Sequence, residues 1–149
     1  MAVALLAVAL ALVAQHAFNI QPCPWCVLQR LLFLVIAAVS AIGLWRAMHR
    51  YRLAIGGMVL IVAGLGVSAA TWQHFVAARS TTCKQTLADK IISWHLHLDQ
   101  MLPSVFEPRG TCADAAVNLL GIPFDFWSLG VFAVLGVAAI QYMRQPPRS

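Results

Sequence analysis

The sequence predicts an all-α membrane protein, a four-transmembrane-helix bundle with a short amphipathic interfacial helix in one long loop. Two observations predict it. The chain of 149 residues is 61% hydrophobic and 10% charged, with a mean hydropathy of +0.80, which exceeds what a soluble domain of this size tolerates. Four apolar runs, about residues 2–18, 27–45, 53–70 and 122–142, each approach the ~20 residues that a spanning helix needs. Unpaired backbone groups are too costly in hydrocarbon for these runs to be anything but helices. They occupy most of the chain, so residues 1–149 read as a single integral membrane domain.

The first run is the shortest, and no basic stretch precedes it. A signal peptide would need that basic stretch and a cleavage motif, so a spanning helix is the better reading. The second and third runs are joined by a short link holding Arg46, Arg50 and Arg52, and the fourth is followed by Arg144 and Arg148. Basic links stay in the cytoplasm, which sends the loops at about residues 15–25 and 71–121 to the opposite side. In a bacterium that side is the oxidising periplasm, where disulfides persist. The net charge of +5 then reflects membrane topology and gives no reason to expect a nucleic-acid partner. Gly43, Gly56, Gly57, Gly64, Gly66, Gly130 and Gly136 fall within the runs and suit close helix contacts.

Inside the long loop Leu87, Ile91, Trp94, Leu98 and Met101 or Leu102 recur at steps of three and four, with Lys90, Ser93, His97 and Gln100 between them. This period predicts one amphipathic helix, lying in the membrane interface with Trp94 at headgroup depth or simply capping the bundle. His95 and His97 stand two apart and point to different faces, which argues against a shared metal.

All four cysteines lie in or beside the two non-cytoplasmic loops. Cys23 and Cys26 form a close pair, Cys23-Pro24-Trp25-Cys26, at the mouth of the second helix. A thiolate at a helix N-terminus is stabilised by the dipole and by unpaired amide donors, so such a pair is redox-active or metal-binding. Zinc would need four converging ligands, and Cys83 and Cys112 are too far apart in sequence to form a second close pair, so no metal is expected. A thioredoxin fold is excluded, because a membrane helix follows the motif. Taken alone, Cys83 and Cys112 are as consistent with a structural staple as with a relay. Closing a loop of about 30 residues is worth roughly 3.5 kcal/mol in the chain-entropy model. Beside a close pair on the same face, exchange between two disulfides becomes the better account. Four cysteines allow three connectivities, and the sequence does not choose among them.

Arg30 follows Cys26 by one helical turn and shares its face, where its charge either anchors the helix at the interface or stabilises negative charge on Cys26 or on a reduced quinone. His74, next to Gln73, closes the third run on the same side as a solvated boundary residue or a further member of the site.

These residues resemble the DsbB family of membrane thiol oxidases. The likeness rests on Gln15-His16, Cys23-Pro24-Trp25-Cys26-Val27-Leu28-Gln29-Arg30, and Pro103-Ser104-Val105-Phe106 leading to Gly110-Thr111-Cys112-Ala113. Leu120-Gly121 and Trp127-Ser128-Leu129 extend it into the last helix. One departure is Asp125, where the family tends to carry proline. The resemblance implies a protein-dithiol oxidase of the bacterial inner membrane whose partner is a periplasmic DsbA-like protein and whose cofactor is a quinone, ubiquinone or menaquinone, from the membrane pool. It implies that Cys83 forms the mixed disulfide with the partner and that Cys112, its disulfide mate, attacks Cys23. Cys26 is then released toward the quinone, with Arg30 and His74 at the quinone site. The reading from another class is a redox-inert membrane scaffold with structural disulfides. A vitamin K epoxide reductase-like enzyme has a similar helix plan, but its close pair is expected at the start of the fourth spanning helix.

Overall fold

The computed structural model describes residues 1–45, 50–77, 87–108, 110, 118–119 and 121–145. Cys83, Cys112, Arg46 and Arg148, and the side chains of Trp94, His95 and Leu98, fall outside that description. Four helices form the body: α1 (Ala2–Ala17), α2 (Pro24–Gly43), α3 (Arg52–Phe75) and α7 (Phe124–Arg144). Between α3 and α7 come α4 (Leu87–Asp89), a π-helical turn (Lys90–His95), α5 (Leu98–Met101), α6 (Pro103–Phe106) and the strands β1 (Asn118–Leu119) and β2 (Ile122–Pro123). The strands pair antiparallel, Leu119 opposite Ile122, and Gly121 supplies the positive φ of +81° at their turn.

Three of these helices, α2, α3 and α7, are long and apolar enough to cross a membrane. α1 is equally apolar but has 16 residues, about 24 Å at 1.5 Å per residue, against a hydrocarbon core of about 30 Å. α3 packs on α7 and α2, and α1 closes the bundle against α2 and α7. The core is built from small and branched side chains of all four: Ala4 and Val8, Ile36 and Ala37, Val59 and Ala63, Leu135 and Ala139. At its centre the rings of Phe33 and Phe132 stack with centroids 4.0 Å apart, inclined by 9°. Gly66 makes room for this stack, since a Cβ there would lie 2.3 Å from a Phe132 ring carbon. The outward faces expose Leu10, Ile61, Leu65, Val134 and Val137. An apolar exterior of this kind suits lipid better than water.

The helix ends differ from the sequence expectation in ways that matter for the site. α2 begins at Pro24, three residues before the apolar run, because proline is preorganised for the first helical position and the Cys23 sulfur accepts the Cys26 N–H there. α3 runs to Phe75, beyond the last apolar residue of its run, so Gln73 and His74 are helical. The expected single amphipathic helix is broken into α4, the π turn, α5 and α6. His97 has φ +47°, which interrupts the helix before α5, and Leu102, at the break before Pro103, precedes a proline and is disfavoured from helical geometry. The π winding also shifts the helical phase. Leu87 and Met101 are exposed, whereas Ile92 and Phe106 are the residues that pack on Val27.

Candidate functional site: a dithiol beside an apolar cavity

The Asn19 to Pro22 break ends at Cys23, whose sulfur caps α2 by accepting the Cys26 N–H at 3.3 Å. The N-terminal turn folds both thiols toward each other, with Sγ atoms 2.9 Å apart. Cys23 is fully buried. Its hydrogen bond to Cys26, with burial second, holds the Cys23 thiol well above the usual thiol range. Cys26 Sγ also receives Gln73 Nε2 at 3.3 Å from α3.

One turn further along α2, Arg30 is 5% exposed, deep for a cation. Its NH1 donates to Gln15 Oε1 at 2.6 Å and to the Val105 carbonyl at 2.9 Å, and its NH2 donates to the Ala11 carbonyl at 3.3 Å. Gln15 Nε2 in turn donates to the Ser104 carbonyl at 3.4 Å. Arg30 thereby ties α1 and α6 to α2. Among the described residues every one of these partners is neutral, so the buried charge has acceptors but no counter-ion.

Cys26, Gln29 and Arg30 form the polar margin of a cavity of about 370 Å³ between α1, α2 and α7. Ser128 also borders it, and the rest of the lining is apolar or aromatic, including Phe18, Phe33 and Trp127. Leu10, Val13 and Phe18 along its rim are also exposed on the outside of the bundle.

Of the residues singled out in the sequence, the structure brings Cys23, Cys26 and Arg30 together. His74 lies to one side. It is not among the residues that line the cavity; its Nδ1 is 3.5 Å from Asp125 Oδ2, and its ring packs against Phe75 and Phe126. Cys83 and Cys112 lie outside the described residues. Gly110, two positions before Cys112 in sequence, donates its N–H to the Pro22 carbonyl at 3.2 Å, next to Cys23. A Cβ on Gly110 would come within 2.9 Å of the Gln21 side chain and 3.0 Å of its carbonyl oxygen, so only glycine fits this contact.

Four residues were given no role by sequence reasoning and belong to the site: Gln15, Gln29, Gln73 and Asp125. All are buried, at 5% exposure or less. Gln29 Nε2 donates to Gln73 Oε1 at 2.8 Å, and Gln73 Nε2 donates to Asp125 Oδ1 as well as to Cys26. Gln29 and Gln73 adjoin the expected site residues Arg30 and His74, which was the available signal; Gln15 and Asp125 lie within apolar runs and carry no such signal.

Comparison with known proteins shows the family. A family model described as disulfide bond formation protein DsbB matches residues 1–142. A protein named disulfide bond formation protein B from Polaromonas naphthalenivorans is 30% identical over 141 residues, covering 93% of this chain and 82% of the relative. Its namesake from Dechloromonas aromatica is 30% identical over 143 residues, 93% of this chain and 85% of the relative. Disulfide bond formation protein B 2 of Pseudomonas aeruginosa is 30% identical over 142 residues, 91% and 82%.

Proposed function

The chain belongs to the DsbB family of helical membrane proteins with a disulfide-forming role, and on that premise we propose that it is a protein-dithiol oxidase reoxidising a periplasmic DsbA-like donor and passing the electrons to a membrane quinone. One observation carries the reading. Cys26, half of a close cysteine pair, and Arg30, a buried cation without a described counter-ion, line the same largely apolar cavity.

The residues present fit a quinone. About 370 Å³ lies at the lower end of small-molecule sites and would accommodate a flat ring head, and the exposed Leu10 and Val13 would offer apolar surface to a tail. Phe33 and Trp127 offer apolar walls, and Arg30, with three of its five N–H donors engaged among the described residues, has donors left for a ring oxygen. A bound quinone supplies an acceptor for the two electrons and two protons that a dithiol loses on forming a disulfide. Arg30 stabilises negative charge that develops in the cavity. Cys23 is fully buried and retains its proton until Cys26, which borders the cavity, reacts.

The periplasmic half of the relay belongs to Cys83, which meets the soluble partner, and to Cys112, which attacks Cys23. The Gly110–Pro22 hydrogen bond supports that second step by anchoring the approach to Cys112 beside Cys23. His74 contributes through Asp125 and Gln73, which join it to Cys26. For topology, α1 is the fourth span, made viable despite its length by the Arg30 bonds that dock it on α2. The segment α4 to α6 lies at the interface, the cysteine loops face the periplasm, and the membrane is the bacterial inner membrane.

The test is quinone reduction, followed by absorbance, with the purified protein and a reduced DsbA-like substrate, using ubiquinone and menaquinone in turn. Turnover should be present with at least one quinone and lost in both Cys26→Ser and Cys83→Ser. A folded protein inactive with both quinones, or a fully active Cys26→Ser, contradicts the reading.

A further inference from the structure

We propose that Gln73 is a catalytic residue of this site: its side-chain amide, locked in one orientation by Gln29 and Asp125, donates to the Cys26 sulfur as that sulfur becomes a leaving group. The inference rests on the thiol relay proposed above and assigns to it a group that the cysteines and Arg30 do not provide.

The orientation of a glutamine amide is fixed only by its neighbours. Gln73 Oε1 accepts from Gln29 Nε2 at 2.8 Å, and its two Nε2 hydrogens serve Asp125 Oδ1 and Cys26 Sγ. All three polar positions are satisfied by partners on α2 and α7. Turned over, the same amide would set its oxygen against a carboxylate and a sulfur, and its nitrogen against that of Gln29. With Gln73 1% exposed, water does not rescue the turned state. The packing thus aims one N–H at Cys26 before any reaction occurs.

The exchange step shows where this donor acts. An attacking thiolate forms a new S–S bond at Cys23, the Cys23–Cys26 bond breaks, and the electron pair leaves on Cys26 Sγ. One thiolate is consumed and one is formed. A leaving thiolate departs faster when its charge is stabilised, and a preorganised N–H does so without reorganisation. Among the described residues, the ionisable groups around Cys26 are Cys23 at the N-cap of α2, Arg30 on α2, His74 on α3 and Asp125 on α7. A carboxylate touching the sulfur would oppose its ionisation. Asp125 contacts Gln73 through Oδ1 and faces His74 through Oδ2, so it positions the amide, while its own charge opposes a thiolate on Cys26.

The test measures Cys26 directly. The fully reduced protein in lipid nanodiscs is alkylated with iodoacetamide across a pH series, without quinone or partner, and modification of Cys26 is resolved by peptide mass spectrometry. Gln73→Met should move the midpoint for Cys26 upward by about one pH unit, equivalent to roughly tenfold slower alkylation at neutral pH. Asp125→Asn, which keeps an oxygen for Gln73 and removes the charge, should give a midpoint no higher than that of the unsubstituted protein, and Gln73→Met should still raise the midpoint in the Asp125→Asn background. An unshifted profile in Gln73→Met overturns the proposal, as does a Gln73→Met shift that vanishes in Asp125→Asn. If Gln73→Met does not fold, Gln29→Met decides, because freeing Oε1 lets the amide turn. A smaller upward shift supports the lock and no shift overturns it. Quinone reduction by the unsubstituted protein is assayed on the same samples. Its absence would overturn the oxidase reading, while the alkylation profiles judge Gln73 independently.

Discussion

Among the described residues, two cavities of similar make lie at opposite ends of the bundle, and they differ in what borders them. The first, about 370 Å³, has Cys26, Gln29 and Arg30 on its margin. The second, about 190 Å³, lies between the far ends of α2, α3 and α7, where Gly43, Gly56, Val59, Leu135 and Ala139 form walls and Ser40 and Tyr142 are the polar side chains. The Tyr142 hydroxyl donates to the Gly43 carbonyl at 3.3 Å, so it serves the fold locally. Both are gaps between apolar helices, yet only the first carries a thiol and a cation. The cost of burying those groups is what distinguishes a chemical site from imperfect packing.

The sharpest way to break this contrast is to remove the cation. Arg30→Met should lower quinone-reduction kcat on the order of a hundredfold, and Arg30→Lys should recover only part of it, because a point charge does not span three acceptors. A kinetic assay on protein of unchanged abundance checks this. Next is the wall of the first cavity. Gly66→Ala drives a methyl into the Phe132 ring and through it displaces Phe33, so the protein should lose about 1–3 kcal/mol of stability, read from thermal unfolding in detergent. The third effect is one of pH. Because its hydrogen bond to Cys26 and its burial raise the Cys23 pKa, Cys23 stays protonated where an ordinary thiol ionises. Its alkylation in the reduced protein should be at least about tenfold slower than that of a free thiol at pH ~8, and should accelerate only as pH rises further. The smallest effect belongs to the second cavity: Ser40→Ala should leave quinone reduction within about twofold of the unsubstituted rate, as expected for distant, independent sites.

Local spacing made part of the site legible in the sequence. Cys23, Cys26 and Arg30 lie within one stretch, and a helix places them together without knowledge of any other element. Gln29–Gln73, Gln73–Asp125 and Arg30–Val105 were not legible, because each is made by packing between segments far apart in the chain. A glutamine at the end of an apolar run looks solvated, and only the bundle shows that Gln73 is enclosed. The same effect misplaced the end of α3, since counting apolar residues stops at a polar group whether or not it has a buried partner. The amphipathic stretch failed differently. Its period of three and four was present, but Pro103, the left-handed His97 and the π turn break the helix and bring Ile92 to the core in place of Leu87. The apolar runs themselves were sound guides to three of the helices, where the lipid requirement and hydrogen-bond satisfaction dictate the same structure.

The central claim is that the Cys23–Cys26 pair passes electrons directly to a quinone in the adjoining cavity. The most direct measurement is a single turnover: a Cys83→Ser/Cys112→Ser variant, reduced and freed of reductant in lipid nanodiscs, is mixed with quinone, and quinone absorbance and remaining thiols are followed together. The account predicts loss of both Cys23 and Cys26 thiols with reduction of about one quinone per chain, the stoichiometry of a two-electron dithiol couple. Retention of both thiols with quinone unreduced, in a variant shown to be folded, would contradict it.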